Sequence, residues 1–226
     1  MLLIVSGKPL LGATIHRHLD RTPTVWPNAR YIHILRDPRD VAKSMVALGW
    51  YGNVWSAIEG WIEVEQSWDR LKARLSPQDW IEVRFEQLIR SPQLELARLC
   101  QFMEIEFDPS MTAPEDGSAY DAPDASLVEQ WRRKLSRREL RWIESKAGSM
   151  MAERGYEPTD PDAKPAGPLE CATLRFDNRL GKARHNRRTL GTRLWLESLV
   201  SKRLGSDAWR DSVRRRVHAI AEANLK

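Results

Sequence analysis

The run from Tyr31 to Ser44, Tyr-Ile-His-Ile-Leu-Arg-Asp-Pro-Arg-Asp-Val-Ala-Lys-Ser, constrains the fold more than any other stretch. Its apolar half predicts a strand. Pro38 biases Asp37 away from helical angles, and the amphipathic run that follows begins with Asp40 placed to cap a new helix. A strand, tight turn and helix of this kind aims first-turn N–H groups and the positive end of the helix dipole at one spot, which favours an anion. Arg36 at the strand's end and Ser44 on the helix are placed to hold one phosphate between them. Taken alone, the stretch is equally a charged turn with surface ion pairs.

Other segments supply elements around it. Val54, Ile58, Trp61, Glu65, Trp68, Leu71 and Leu75 recur at three and four, predicting one helix over about 54–75 whose tryptophans belong to the core. Trp80 to Phe85 alternates and is β-rich, and Ser91-Pro92 opens a helix that runs to Met103 with Leu96, Leu99 and Cys100 on its buried stripe. Leu135-Ser136-Arg137-Arg138-Glu139-Leu140 combines a capping box with a hydrophobic staple, and Gly155 with Pro158 closes the helix it starts. Residues 159–168 form a linker. Beyond it, helices over about 190–204 and 206–223 are expected, the second with an apolar seam of Trp209, Val213, Val217 and Ile220. Near the start, Leu2 to Val5 predicts a short buried strand, and Gly7 to Thr14 imitates a phosphate loop, but Pro9 removes a donor and Ala13 stands where the Lys belongs.

The net charge of +5 is unevenly shared. From Pro168 onward fourteen Lys or Arg face six Asp or Glu, giving +8, so residues 1–167 carry −3. The basic tail is open to anionic lipid, nucleic acid, a partner subunit, or a solvated cap on the core. Two cysteines are too few for a disulfide framework, which fits a reducing cytosol or a membrane-facing enzyme whose anchor is absent; the first residues lack the basic lead of a secretory signal. No His/Cys/Asp cluster has ligand spacing, so no metal is expected.

The Tyr31–Ser44 stretch resembles the 3′-phosphate-binding segment of sulfotransferases that use 3′-phosphoadenosine 5′-phosphosulfate (PAPS), with Arg36 and Ser44 at the family's spacing of eight. The resemblance extends through Val83-Arg84-Phe85-Glu86-Gln87-Leu88 and Gln130 to Ser136. It implies a three-layer α/β core with a mostly parallel sheet of the P-loop NTPase-like type, over residues 1–158, followed by the linker and a helical extension at 169–226. It also implies a catalytic His closing the preceding strand, Gly12 to His16, which makes His16 the candidate base and His18 its neighbour for confusion. Phe85 takes the place of the family's Tyr, leaving ring packing as its contact with the nucleotide. The Gly49-Trp50-Tyr51-Gly52-Asn53 loop is the candidate for acceptor contact. The expected activity is sulfuryl transfer from PAPS to a hydroxyl or amine of a small-molecule or glycan acceptor, in the cytoplasm, without a nucleic-acid partner.

Three departures accompany the resemblance. The family's 5′-phosphosulfate loop would lie upstream of His16, where there is no room for it, so either Met1 is not the natural start, the chain is a fragment, or the loop is lost. Thr14 replaces a frequent Lys. Residues 108–126 hold no Lys or Arg; Arg132 and Arg133 beside Trp131 are either substitutes or, more in keeping with their position, exposed helix charges. The missing loop, Phe85 in place of Tyr and the base-free 108–126 segment support a rival reading, a catalytically impaired protein of this fold that binds through its basic helices. A kinase reading of Leu35-Arg36-Asp37 fails because Ala42 stands where the catalytic-loop Asn is required.

Overall fold

A computed structural model describes residues 10–112 and 124–223. The expected strand at Leu2–Val5, the Gly7–Pro9 part of the phosphate-loop imitation and most of the base-free loop at 108–126 lie outside the described residues. Strand β1 (Tyr31–Leu35) is followed by helices α1 (Pro38–Ala47) and α2 (Val54–Lys72), then by β2 (Trp80–Arg84). Helices α3 (Phe85–Arg90) and α4 (Pro92–Met103) follow, then single helical turns at Ala125–Leu127 and Trp131–Lys134. Three long helices complete the chain: α5 (Arg137–Glu153), α6 (Pro168–Leu204) and α7 (Asp207–Ala223).

The two strands pair in parallel, Tyr31 opposite Trp80 and Leu35 opposite Arg84. Leu35 and His33 point inward, His33 stacking on Trp68 of α2 at 4.5 Å. On the other face of β1, Ile32 and Ile34 are 39% and 59% exposed. This corrects the expected three-layer P-loop NTPase-like core. Among the described residues there is one two-stranded sheet within a mainly helical chain. The Gly12–His16 segment expected to be a strand end is irregular; among the described residues no strand pairs with its backbone.

The helices follow their sequence signals. Asn53 caps α2 by accepting from the Ser56 amide at 3.0 Å, and the predicted stripe is buried, from Val54 and Ile58 through Trp61 and Trp68 to Leu71. Ser136 and Glu139 form the reciprocal capping box of α5. Leu35, Ala42, Ile58, Trp61, Ile143 and Met151 then meet in one core, so β1, α1, α2 and α5 are packed about a single centre. That centre fixes the β1–α1 junction.

The tail departs from its expected boundary. Its first helix begins at Pro168 and continues to Leu204, bending at Gly191, whose φ of 73° interrupts the helical angles. The second half of α6 lies along α7, with Ser201 and Val213 buried between them. No helix among the described residues is long and apolar enough to cross a membrane.

Candidate active site

The β1–α1 junction is built as the proline requires. Asp37 has φ −49° and ψ 119°, Pro38 opens the helix, and the Asp37 carboxylate accepts from the Arg39 amide at 2.9 Å. Asp37 is therefore the cap, not Asp40. The Asp37 carboxylate also grips Arg39 through Nε at 2.9 Å and Nη2 at 2.7 Å. Arg39 in turn reaches Glu144 of α5 at 3.1 Å and lies 3.7 Å over the Trp131 ring. Burial lowers the pKa of this guanidinium, but Asp37 and Glu144 more than offset it and leave the value raised. Arg39 is a structural tie, spent on its carboxylates.

Arg36 is differently placed. Its guanidinium lies 4.1 Å over the Phe85 ring, and Nη2 donates to the Leu127 carbonyl at 2.8 Å. Its Nε is buried and has no hydrogen-bond partner. Burial lowers the Arg36 pKa, while Asp40, Glu86 and Asp37 act to raise it, and it remains a cation. Arg36 thus has carboxylates nearby yet hydrogen-bonds to none of them.

Glu86, in the first turn after β2, organises this surround. One of its oxygens accepts from the Asp37 amide at 2.9 Å and the other from the Tyr156 hydroxyl at 2.9 Å. Burial and the Glu86 charge push the Tyr156 phenol above its ordinary pKa, so it stays a donor. Asp40 is wholly buried; one oxygen accepts from the Trp131 amide at 2.7 Å and the other has no partner. Its pKa is pushed up to about 6, by burial first, with the Trp131 amide opposing. The Trp131 indole N–H is also buried and unpartnered. A polar cavity of about 280 Å³ adjoins this network, lined by Asp37, Arg39, Glu86, Arg132 and Tyr156 among others.

The remaining candidates are more scattered. Ser44 stands half-buried on the second turn of α1 with no side-chain hydrogen bond among the described residues. His16 is exposed, its ring meeting Trp50 edge-on at 5.5 Å. Beside it Arg17 reaches the Tyr51 hydroxyl at 3.5 Å. The structure therefore joins Arg36 to Phe85, and His16 to the Gly49–Asn53 loop, without a direct contact between the pairs. Arg132 pairs with Glu129 at 3.0 Å, whereas Arg133 donates to the Ser126 carbonyl at 3.0 Å and steadies the turn that covers Arg36.

The residues that sequence reasoning passed over are Glu86, Asp40 in its buried role, Tyr156 and the Leu127 carbonyl. A shared signal was present for two of them. An arginine stands just after the first strand and at the end of the second, Arg36 and Arg84, with an acid in the first turn of the helix that follows, Asp40 or Glu86.

Comparison with known proteins bears on the same region. Residues 13–109, fewer than half of the 226, match the model of a sulfotransferase family. No curated protein matches. Among solved structures, the sulfotransferase domain from the curacin biosynthetic pathway superposes with a TM-score of 0.53 at 22% identity, over 62% of this chain and 58% of that one. A sulfotransferase domain from the Synechococcus PCC 7002 olefin synthase gives 0.43 at 23% identity, over 53% of this chain and 49% of that one. The chain thus spans less than two thirds of the length of either domain. What the first of these structures establishes is the fold alone: the chain shares the fold of that sulfotransferase domain over the part that superposes.

Proposed function

We propose that the protein is a sulfotransferase that takes its sulfuryl group from PAPS and passes it to a hydroxyl or amine acceptor. The observation that carries the reading is Arg36: a half-buried cation lying over the Phe85 ring, with a buried, unpartnered Nε and no carboxylate hydrogen-bonded to it. An anionic oxygen is the partner such a group lacks, so the site fits a nucleotide phosphate. PAPS, when bound, would supply the sulfuryl group: its phosphosulfate S–O bond breaks as sulfur bonds to the acceptor, and 3′-phosphoadenosine 5′-phosphate departs as the leaving group.

The chain's own residues have three tasks. Arg36 and Ser44 hold the 3′-phosphate, and Phe85 keeps the guanidinium flat. His16 takes the proton of the attacking acceptor, a contribution worth typically ~10²–10⁴ in rate. The Trp50–Tyr51 edge beside His16 receives the acceptor. The Leu127 carbonyl yields its place on Arg36 to the stronger, charged acceptor.

Calorimetric binding of 3′-phosphoadenosine 5′-phosphate to the whole chain and to Arg36→Ala tests this. A charge-assisted contact contributes about 1.5–3 kcal/mol, so the variant is expected to bind about ten- to a hundredfold more weakly. Equal binding by both, or none by either, removes the role given to Arg36. Sulfuryl transfer by His16→Ala at an undiminished rate removes the role of His16, and nucleotide binding without transfer in the unaltered chain favours the catalytically impaired reading.

A further inference from the structure

Beyond Gly191, α6 is apolar on two opposite sides. One side is closed by α7, where Ser201 and Val213 are buried and the Glu197 carboxylate pairs with Arg216. The other carries Leu196, Leu199, Val200 and Leu204 at i, i+3, i+4 and i+8, which places them on one stripe of the helix. They are 47%, 42%, 44% and 82% exposed. This stripe is the outer ridge of a two-helix hairpin, convex rather than a groove.

Charge leading up to the ridge is mostly of one sign. From Asp177 to Leu196 there are six basic residues and one acidic, Asp177 itself. Arg179, Lys182, Arg184, Arg187 and Arg188 have no ion pair among the described residues, and Arg203 and Lys202 extend the set into the last turn beside Leu204. The acids in reach are already neutralised: Glu197 by Arg216 and Arg193, Asp207 by Arg210, and Asp211 by Arg214.

We propose that this ridge is a docking surface for an anionic lipid bilayer, on which the protein lies peripherally. An apolar stripe on a convex helix buries itself at the headgroup boundary, while long arginine and lysine stems let their charges reach the phosphates beside it. A nucleic acid would use the charges but leave the leucines in water. An acidic protein partner would need a matching concave apolar groove. The lipid surface satisfies both features and requires no partner-specific shape.

Co-sedimentation of the full chain with phosphatidylcholine vesicles, with and without about 30 mol % phosphatidylglycerol, tests the proposal. Binding is expected only to the anionic vesicles. It should fall about fivefold for each charge removed in Arg187→Gln and Arg188→Gln, and more than about tenfold in the double variant Leu199→Glu/Leu204→Glu. Circular dichroism and the thermal midpoint should stay unchanged in all of these, since every substituted side chain is exposed. Equal binding to both vesicle types, no binding to either, or full binding by the leucine variant would overturn it. A dimer in sedimentation velocity that Leu199→Glu disperses, without vesicle binding, would assign the ridge to a second copy of the chain instead.

Discussion

Asp40 is wholly buried, and one of its two carboxylate oxygens has no partner. Its pKa lies at about 6 in the folded chain, against 3.8 ordinarily. As pH rises through this window the unfolded chain releases the proton first, so the folded state binds more protons and stability falls. The cost is complete above pH 6 and amounts to about 3 kcal/mol. Asp40→Asn keeps an oxygen for the Trp131 amide and removes the titration. Urea unfolding at about pH 4.5 and about pH 7 should show the native chain losing about 2–3 kcal/mol relative to the variant across that interval. Parallel pH profiles would contradict the buried charge. Glu65 acts in the opposite direction at lower pH: burial works to raise its pKa, but His33 and Arg154 hold it below 4.5, so its stabilising share disappears only as acid is added. The same residues show what a sequence discloses at this scale. Arg36 was legible because a strand end, a charge and a proline are adjacent in the chain. Asp40 read as a cap because that role is local, and its true partner, the Trp131 amide, lies 91 residues away.

The Gly49–Asn53 loop is where two elements meet. Helix α6 reaches it through Asn178, which accepts from the Gly52 amide at 2.6 Å, and through Leu174, whose carbonyl accepts from Asn53 at 2.7 Å. Gly49 has φ +74°, and a Cβ there would overlap the His185 ring. Gly49→Ala combines a left-handed backbone angle with a steric conflict, and about 2–3 kcal/mol of stability is expected to be lost. Adding His185→Ala should recover the steric part and leave the backbone part, a coupling that denaturant midpoints of the two single variants and the double variant would measure. Additive losses would mean that His185 can turn aside at little cost. Helices α2 and α5 were readable because apolar stripes and caps lie within each segment. The first half of α6 was not, because its inward face is Leu174, Asn178, Gly181 and His185, too polar and too small to mark a period. The sheet failed for the complementary reason: two alternating segments specify two strands, and further layers were inferred from likeness alone.

Across the whole molecule, the ion pairs among the described residues between 1–167, with net charge −3, and the remainder, with +8, run against those net charges: an acid of the basic part meets bases of the acidic part. That acid is Glu170, one oxygen of which accepts from Arg141 at 2.6 Å, the Trp142 indole at 2.9 Å and Arg138 at 3.0 Å. Arg141, Trp142 and Arg138 hold its pKa down at about 2. A lowered carboxylate pKa stabilises above its ordinary value of 4.5 and ceases to do so as pH falls through about 2. Glu170→Gln should therefore speed amide exchange over residues 168–178 at neutral pH while leaving the buried turns of α5 unchanged, and the difference from the native chain should shrink toward about pH 2. Unchanged exchange in 168–178 would show that the Asn53, Gly52 and Gly49 contacts hold the helix without this latch. How far the loosening travels is informative about Gly191. The helical angles are interrupted at Gly191 and nothing lies within 4 Å of a Cβ added there, so exchange in the α6–α7 hairpin beyond residue 191 is expected not to follow that of the anchor. Exchange rising equally in 168–178 and in 192–204 would instead make α6 one rigid rod, and the hairpin's outer ridge would then turn with the core.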